Sequence, residues 1–231
     1  MKKISLVIPI FNEYNNLNNL IEEISIHLKN FSYEIILVND ASTDKSKILL
    51  EELKEKYHTI ILINNKKNIG QSLSIVKGVK TAKHSTIVTM DGDCQNNPFD
   101  IPRLLKLYDN HDDVYLVGGI RHNRKDTYVK KVSSKLANKI RKFLLKDYCD
   151  DTGCSLKVFD KETFLKFPVF DGLHRFIPAF FSGYNKKTLF ANVDHRHRKY
   201  GHSKYGTFKR LFKGIFDLIR VIIILKRLKN G

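Results

Sequence analysis

The chain has 231 residues, a formal net charge of +17, 42% hydrophobic residues and 28% charged residues. This length and balance predict a folded protein with a full core and exclude a disordered or fibrous chain. The 3 cysteines are odd in number, and they lack the paired spacing of zinc ligands. They therefore argue against a disulfide framework and against a structural metal site.

The positive charge is concentrated in two segments. Residues 121–146 contain ten Lys or Arg and one acid, and residues 196–231 contain eleven Lys or Arg and one acid. The rest of the chain is close to neutral. Two basic segments on a neutral body indicate a polyanionic partner, and three classes fit: nucleic acid, an acidic membrane surface or a phosphorylated substrate.

In chain order, short β-branched runs alternate with stretches of helical periodicity. The first run, ISLVIPI, is interrupted at once by Asn12 and Glu13 and has no cleavage site, so we expect a first strand rather than a signal peptide. Further strands are predicted at YEIILVND, TIILINN, STIVTMD and VYLVGGI, with helices at 16–28, 45–57 and 72–82. Continuous apolar strands between helices predict a doubly wound α/β domain with a mostly parallel sheet.

Polar side chains follow the first four of these strands. Ligands bind at the carboxyl ends of strands in such sheets, and in strand order these positions hold Glu13, Asp40, the polar residues 64–68, and Asp91 with Asp93. An acid after either of the first two strands can bind a ribose hydroxyl or a base N–H, so Glu13 and Asp40 are candidates for nucleoside recognition. Gly70 opens the next helix, whose N-terminal amides can face a ligand. No dinucleotide or P-loop glycine motif follows the first strand, so any nucleotide is held in another way.

The sequence IVTMDGDCQNNP places two aspartates, separated by one residue, after the fourth strand. Asp91 and Asp93 can both face one hard divalent cation, and Gly92 between them allows a diphosphate to approach the backbone. Asp-Gly-Asp is also an ordinary turn sequence. The three other polar strand ends favour the functional interpretation, so we predict metal-assisted chemistry on a nucleotide substrate.

The basic segments contain predicted helices and a loop. Apolar residues recur at helical spacing between the lysines of 128–146, which indicates either a solvated surface helix or one at the boundary of an anionic membrane. Residues 195–206, HRHRKYGHSKYG, form a basic loop that is either a charged linker or a cover for the active site. The helix expected over 207–231 has basic residues and Asp217 on one arc and apolar residues on the other, without the ~20 apolar residues that span a bilayer. We expect it to lie on a membrane or to pair with another helix, and packing on the domain is the alternative.

The order of the motifs resembles that of the family 2 glycosyltransferases. VIPIFNE, VNDASTDKS, NIGQSLSIVKG and MDGDCQNNP are similar to the nucleotide-sugar-binding half of these enzymes, which have a GT-A fold. GGIRHNRKD, KKVSSKLAN, DTGCSLKVF and HRKYGHSKYG then follow in the order of the polyprenyl-phosphate sugar transferases, the dolichol-phosphate mannose synthase type. The resemblance covers nearly the whole chain except the final helix. The chain departs from the family's Asp-Asp-Gly-Ser at Asn39 and Ala41, which leaves Asp40 as the acid and puts a role for position 39 in doubt.

On the donor side, the resemblance implies a nucleoside pocket and a metal-diphosphate site. The nucleoside pocket would be lined by Pro9, Phe11, Glu13, Asp40 and Gly70. Asp91 would lie near the donor sugar and ribose, while Asp93 and Gln95 would hold Mg2+ or Mn2+ against the diphosphate and stabilise it as it leaves. The basic loop would fold over this site and contact the diphosphate through Arg198, Ser203 and Lys204.

On the acceptor side, the resemblance implies a lipid phosphate that is bound by Arg121, Lys131 and Ser134. A phosphate is already ionised at pH 7 and needs no strong base, so catalysis would consist mostly of positioning and leaving-group stabilisation. Asp151 would orient the acceptor or the sugar. In family members with hydroxyl acceptors, an acid in this region acts as the base.

The expected protein is an inverting glycosyltransferase that moves a sugar from a UDP- or GDP-linked donor to a polyprenyl phosphate. Residues 1–206 would form the catalytic domain, and residues 207–231 a membrane-associating helix that makes the protein peripheral at the cytoplasmic face of the cell membrane. Transfer to a glycan or another hydroxyl acceptor is the alternative. Nucleic-acid binding fits poorly, because Glu13, Asp91 and Asp93 would repel a phosphate backbone. The sequence leaves the oligomeric state open.

Overall fold

Strands and helices alternate through the first half of the chain, as the sequence predicts. The computed structural model describes residues 3–122, 141–198, 200 and 207–230. The strands of the first half are β1 (Lys3–Ile10), β2 (Ser32–Asn39), β3 (Ile60–Asn64), β4 (Thr86–Thr89) and β5 (Val114–Arg121). The helices between them are α1 (Tyr14–His27), α2 (Ser46–Lys56), α3 (Gln71–Thr81) and α4 (Ile101–Asp109). The five predicted strands and three predicted helices are therefore confirmed, with ends that differ by one to two residues.

The second half of the chain adds two strands and three helices to the described structure. These elements are β6 (Lys157–Asp160), α5 (Lys161–Leu165), α6 (Ile177–Gly183), β7 (Lys187–Val193) and α7 (Thr207–Asn230). Residues 141–145 are also helical. They are the end of the basic helix predicted over 128–146, and the rest of that prediction lies outside the described residues.

The described strands form one seven-stranded sheet in the order β3-β2-β1-β4-β6-β5-β7. β1 to β4 run parallel to one another, β5 and β7 are parallel, and β6 is antiparallel to both of its neighbours, β4 and β5. Two antiparallel steps restore the original direction, so the carboxyl ends of β1 to β5 and β7 lie at one edge of the sheet. The chain that enters β6 starts from the same edge. The sheet is therefore mostly parallel, as predicted.

Helices cover both faces of the sheet, which explains why the strands are apolar without interruption. In β1, Leu6 and Ile8 belong to one core cluster, while Val7 between them belongs to a second cluster on the opposite face. The first cluster is completed by apolar residues of α1, α2 and α4. The second is completed by α3, α5, α6 and α7 and contains six buried phenylalanines, Phe159, Phe164, Phe167, Phe176, Phe180 and Phe181. The doubly wound arrangement is therefore confirmed.

The C-terminal helix α7 packs one face on the domain. Val221 is fully buried and Leu225 is 7% exposed, and Leu225 Cδ2 would be 2.4 Å from a Cβ placed on Gly183 at the end of α6. Asp217 is also buried and pairs with Arg175. The helical wheel places Asp217 on an arc with basic residues, but a wheel does not reveal which arc the domain covers.

A second face of α7 carries exposed apolar side chains. Ile215, Phe216, Ile219 and Ile223 are 48%, 78%, 52% and 47% exposed, and we call these four residues the apolar strip. They follow helical spacing, so they share one side of the helix. Among the described residues, no helix combines the length and the apolar content that crossing a bilayer requires.

Candidate active site

A cavity of about 780 Å³ opens at the edge of the sheet where the parallel strands end. It is lined by Pro9, Ile10, Phe11, Glu13, Asp40, Asn68, Gly70, Gln71, Asp91, Gly92, Asp93, Gln95, Arg121 and Arg198. Eleven of these residues, all except Ile10, Asn68 and Gln71, were singled out from the sequence for a nucleotide, metal or phosphate site. Their convergence follows from the shared direction of the strands that they follow.

Asp91 lies two residues beyond Thr89, the buried last residue of β4, and is held by three neighbours. Gln71 Nε2, at the first residue of α3, donates a 2.7 Å hydrogen bond to Asp91 Oδ1. The backbone N–H of Asp91 donates to Ser155 Oγ at 3.1 Å, and Ser155 in turn donates to Asn96 Oδ1 at 2.6 Å. Burial and, secondarily, the charge of Asp93 raise the pKa of Asp91 to about 6. The carboxylate is thus fixed in position and carries a charge that its surroundings do not fully compensate.

Asp93 and Glu13 share one arginine. Arg198 Nη2 lies 2.9 Å from Asp93 Oδ2 and 3.1 Å from Glu13 Oε1. The other Asp93 oxygen accepts a 3.1 Å hydrogen bond from the backbone N–H of Gln95, and the other Glu13 oxygen accepts one of 2.7 Å from Asn16. Arg198 comes from the chain after β7, so the chain that follows this strand folds back onto the end of β1.

Gly92 between the two aspartates is packed against β1. A Cβ at this position would lie 2.5 Å from Ile10 Cδ1 and 3.6 Å from the carbonyl oxygen of Pro9. A Cβ at this position would therefore force the end of the Ile10 side chain to shift. The sequence interpretation explained this glycine by close approach of a diphosphate, and packing against β1 is a further reason for it.

Asp40 at the end of β2 binds the turn that precedes α3. Its two carboxylate oxygens accept 2.8 Å hydrogen bonds from the backbone N–H groups of Ile69 and Gly70, and Asn65 Nδ2 adds a third at 3.0 Å. Gly70 adopts φ 87°, a region that glycine enters without steric cost. Asp40 thereby shapes the cavity wall at Asn68 and Gly70.

Arg121 at the end of β5 is paired with Asp151. Arg121 Nε lies 2.6 Å from Asp151 Oδ2 and Nη2 lies 2.7 Å from Oδ1, while the backbone N–H of Arg121 adds a 3.1 Å bond to Oδ2. The side chains are 17% and 8% exposed. This two-pronged geometry is the strongest form of an Arg-carboxylate pair, and it fixes the plane of the guanidinium at the cavity wall.

The donor set at this edge suits a hard divalent cation that also binds phosphate. Asp91 and Asp93 supply carboxylate oxygens, and the pKa of Asp91 is raised mainly by burial and secondarily by the charge of Asp93. Gln95 Nε2 donates to the carbonyl oxygen of Arg196 at 3.3 Å, which leaves its amide oxygen as the group for a metal. The described part of the chain contains no cluster of three or more His, Cys, Asp or Glu able to hold a metal. An ion here would therefore take further oxygen ligands from a substrate phosphate and water, as Mg2+ commonly does.

Four predicted phosphate-binding residues lie outside the described residues: Lys131, Ser134, Ser203 and Lys204. Two residues of the site, Gln71 and Ser155, were missed by the sequence interpretation. Each is adjacent to a motif that was noted, since Gln71 follows Gly70 and Ser155 follows DTGC. Both carry ordinary polar side chains, and only the sheet topology brings them to Asp91.

Comparison with known proteins identifies the family. The sequence profile of Glycosyl transferase family 2 matches residues 5–167, which is more than two thirds of the chain. Dodecaprenyl-phosphate galacturonate synthase of Rhizobium johnstonii is 33% identical over 230 residues, which cover 97% of this chain and 68% of that protein. Undecaprenyl-phosphate 4-deoxy-4-formamido-L-arabinose transferase of Photorhabdus laumondii is 35% identical over 222 residues, which cover 95% of this chain and 67% of that protein.

Among solved structures, glucosyl-3-phosphoglycerate synthase from Mycobacterium tuberculosis in complex with Mn2+, UDP and glucosyl-3-phosphoglycerate is similar in fold. The TM-score is 0.73 at 15% identity, over 97% of this chain and 80% of that chain. This likeness concerns the fold alone, and it confirms the expected GT-A architecture. The family profile and the relatives that share about a third of their residues show that the chain belongs to Glycosyl transferase family 2 and is a glycosyltransferase.

Proposed function

We propose that this glycosyltransferase moves a sugar from a nucleoside diphosphate to the phosphate of a polyprenyl lipid, with inversion at the anomeric carbon. Both relatives described above carry a polyprenyl phosphate in their names and align with nearly the whole chain. The acceptor is the part of this proposal that distinguishes it from other reactions of the family. The structure of the acceptor side therefore carries the argument.

The observation that carries the proposal is the pairing of Asp151 with Arg121. Asp151 is the acid that would have to remove a proton from a hydroxyl acceptor, but both of its oxygens already accept hydrogen bonds from Arg121. Both oxygens are therefore occupied by N–H donors of Arg121, the arrangement of a carboxylate that positions a guanidinium. A phosphate acceptor needs no base, because it is ionised at neutral pH. The same pair holds a guanidinium at the cavity wall, where the N–H groups that Asp151 does not engage can donate to phosphate oxygens.

On the donor side, the polar strand ends would divide the nucleoside diphosphate between them. Pro9, Phe11 and Glu13 would line the nucleoside pocket, with Asp40 and Gly70 forming its wall. Asp91, Asp93 and Gln95 would hold Mg2+ or Mn2+ beside the diphosphate, and a bound ion supplies charge stabilisation to the departing group. Arg198, Ser203 and Lys204 would contact the diphosphate, while Lys131 and Ser134 would join Arg121 at the acceptor phosphate.

We also propose that the protein works at the cytoplasmic face of a membrane, with residues 207–231 in contact with the lipid surface. The exposed apolar strip of α7 supports this location, and the exposed Arg220, Lys226 and Arg227 lie on the same helix. A helix that combines exposed apolar and basic residues binds anionic lipid headgroups in the plane of the interface. The cytoplasmic leaflet carries the negative surface potential that such residues recognise.

The proposal is tested with a panel of UDP- and GDP-linked sugars and a short polyprenyl phosphate, with and without Mn2+. We expect one donor to give a lipid-linked product that requires the metal. Asp93→Ala should lower the rate by about a hundredfold or more, because the leaving group then loses most of its charge stabilisation. Asp112→Ala, an exposed acid on the loop before β5, serves as the control and should retain the wild-type rate. Transfer to a soluble sugar acceptor in place of the lipid phosphate would contradict the proposal.

A second variant separates the two possible roles of Asp151. If Asp151 positions Arg121, Asp151→Asn should raise KM for the polyprenyl phosphate roughly ten- to hundredfold, the effect of losing a charge-assisted hydrogen bond. The value of kcat and its dependence on pH should then change little. If Asp151 is a general base, kcat itself should fall by about 10² to 10⁴ and its pH profile should lose the acidic limb.

A further inference from the structure

Arg198 occupies the place at which a cation would neutralise Asp93. Its Nη2 lies within hydrogen-bond distance of both Asp93 and Glu13, and these carboxylate side chains are 10% and 8% exposed. Among the described residues, the guanidinium thus bridges two nearly buried acids. Asp93 also has its second oxygen engaged by the backbone N–H of Gln95. A cation that binds Asp93 therefore competes with a contact that already exists.

The chain around Arg198 is anchored in a way that leaves this side chain separate from its neighbours. Arg196, two residues earlier, is fixed by Glu23, whose two oxygens lie 2.8 and 2.7 Å from Arg196 Nη1. The backbone N–H of Arg196 donates to the carbonyl oxygen of Gln95 at 2.9 Å. Movement of Arg198 thus requires no change at Arg196, because the two guanidinium groups contact different acids.

We propose that Arg198 is an exchangeable counter-cation of Asp93. Without nucleotide, it holds Asp93 and Glu13 and keeps a free divalent ion from binding. When a nucleoside diphosphate enters with its metal, the phosphate oxygens replace the carboxylates as partners of the guanidinium, and Asp93 is released to the ion. This inference rests on the proposed donor site and adds an order of binding to it: the metal binds together with the nucleotide and not before it.

Electrostatics favours this exchange over simple coexistence. A guanidinium and a divalent ion on the same carboxylate repel each other, and the repulsion is strong where water is scarce. A diphosphate relieves it, because it brings negative charge for both cations. Arg198 should therefore have opposite effects on two affinities: it weakens the binding of free metal and strengthens the binding of the metal-nucleotide complex.

The test measures Mn2+ binding to the purified protein by electron paramagnetic resonance, first without nucleotide and then with UDP or GDP. Arg198→Gln removes the charge, Arg198→Lys retains it, and Arg196→Gln is the matched control in the same segment. We expect Arg198→Gln to bind free Mn2+ about tenfold more tightly than the wild type and to bind the nucleotide with Mn2+ about tenfold more weakly, because one charge-assisted contact changes in each state. The affinity of Arg198→Lys for free Mn2+ should stay within about threefold of the wild-type affinity. Arg196→Gln should bind free Mn2+ with the same affinity as the wild type. Thermal unfolding of each variant verifies that it is folded.

The inference would be overturned if Arg198→Gln bound free Mn2+ as tightly as the wild type or more weakly. It would also be overturned if Arg198→Lys gained as much affinity for free Mn2+ as Arg198→Gln, since loss of the charge would then not be the cause. Both results leave the proposed function intact as long as the wild type binds a nucleotide with Mn2+. If the wild type bound neither nucleotide in the presence of Mn2+, the proposed donor site would be wrong. Both the proposed function and this inference would then be contradicted.

Discussion

Arg175 Nη2 and Asp217 Oδ2 lie 2.8 Å apart, and this ion pair joins the segment between α5 and α6 to the C-terminal helix α7. The Asp217 carboxylate also lies against Gly172, where a Cβ would be 2.5 Å from Oδ2. The pair sets the rotation of α7 about its axis. In that rotation Val221 and Leu225 face the domain, and the apolar strip faces away from it.

Replacement of Asp217 by alanine should therefore destabilise the protein. Asp217 is 6% exposed, so its removal leaves the partly buried guanidinium of Arg175 without its carboxylate partner. Arg175 is about a third exposed, so water replaces part of the lost interaction. We expect the free energy of unfolding to fall by about 1–2 kcal/mol, measured by urea denaturation. Asp113→Asn breaks an ion pair of the same length with Lys187 on the surface and should leave the unfolding midpoint unchanged. Equal effects of the two substitutions would contradict the structural role of Asp217.

Two glycines in helices give opposite predictions for the same substitution. Gly78 of α3 packs against the sheet, and a Cβ there would lie 2.4 Å from Val7 Cγ1 and 3.1 Å from Val38 Cγ2. Gly214 of α7 has nothing within 4 Å of the same position. Gly78→Ala should lower the free energy of unfolding by about 1–3 kcal/mol, because overpacking outweighs the better helix propensity of alanine. Gly214→Ala should raise the free energy of unfolding by about 0.5–1 kcal/mol, because alanine has the better helix propensity and meets no neighbour there. Stabilisation by both substitutions would contradict the prediction for Gly78 and would show that α3 can move away from the sheet.

The cysteines should be unreactive in the folded protein. Burial raises the pKa of both Cys94 and Cys149 to about 11, so the thiolate fraction at pH 8 is more than about a hundredfold below that of a free thiol. We expect iodoacetamide at pH 8 to modify the urea-unfolded chain rapidly and the native protein slowly, as measured by mass spectrometry. Folding raises these pKa values, so the stability that they contribute is present below pH 9 and is lost as the pH rises toward 11. Rapid native labelling at Cys149 would mean that its surroundings open.

The apolar strip of α7 should control binding to lipid vesicles. Ile219→Glu places a charge at the centre of the strip, and we expect it to weaken binding to vesicles with anionic headgroups by more than about tenfold in a sedimentation assay. Ile48→Glu introduces the same charge on α2, where Ile48 is 64% exposed, and should bind like the wild type. Removal of residues 207–231 should abolish binding. Unchanged binding of Ile219→Glu would assign membrane contact to another part of the chain.

Most of the site could be predicted because parallel strands bring distant loops to one edge. Glu13, Asp40 and Asp91 follow separate strands, and a β-branched run that ends in an acid is visible in the sequence alone. The shared direction of the strands then gives their proximity without any knowledge of side-chain contacts. The cavity confirms that these residues lie together.

Contacts that depend on an exact register or rotation could not be predicted. Arg121 and Asp151 are 30 residues apart, and they meet only because β6 enters the sheet antiparallel between β4 and β5. β6 has four residues, too few for periodicity to reveal its direction. The burial of Asp217 could not be predicted for a related reason, since an amphipathic pattern states which residues share a face but not which face the domain covers.

The segment that precedes β6 touches both halves of the cavity. Asp151 at its start binds Arg121, the proposed contact of the acceptor phosphate, and Ser155 at its end accepts a hydrogen bond from the backbone of Asp91 beside the proposed donor site. Five residues therefore set the distance between nucleophile and leaving group. A single insertion or deletion between Asp151 and Ser155 would shift one reactant along the line of attack and leave each binding site complete. We expect such a variant to bind both substrates without transferring the sugar.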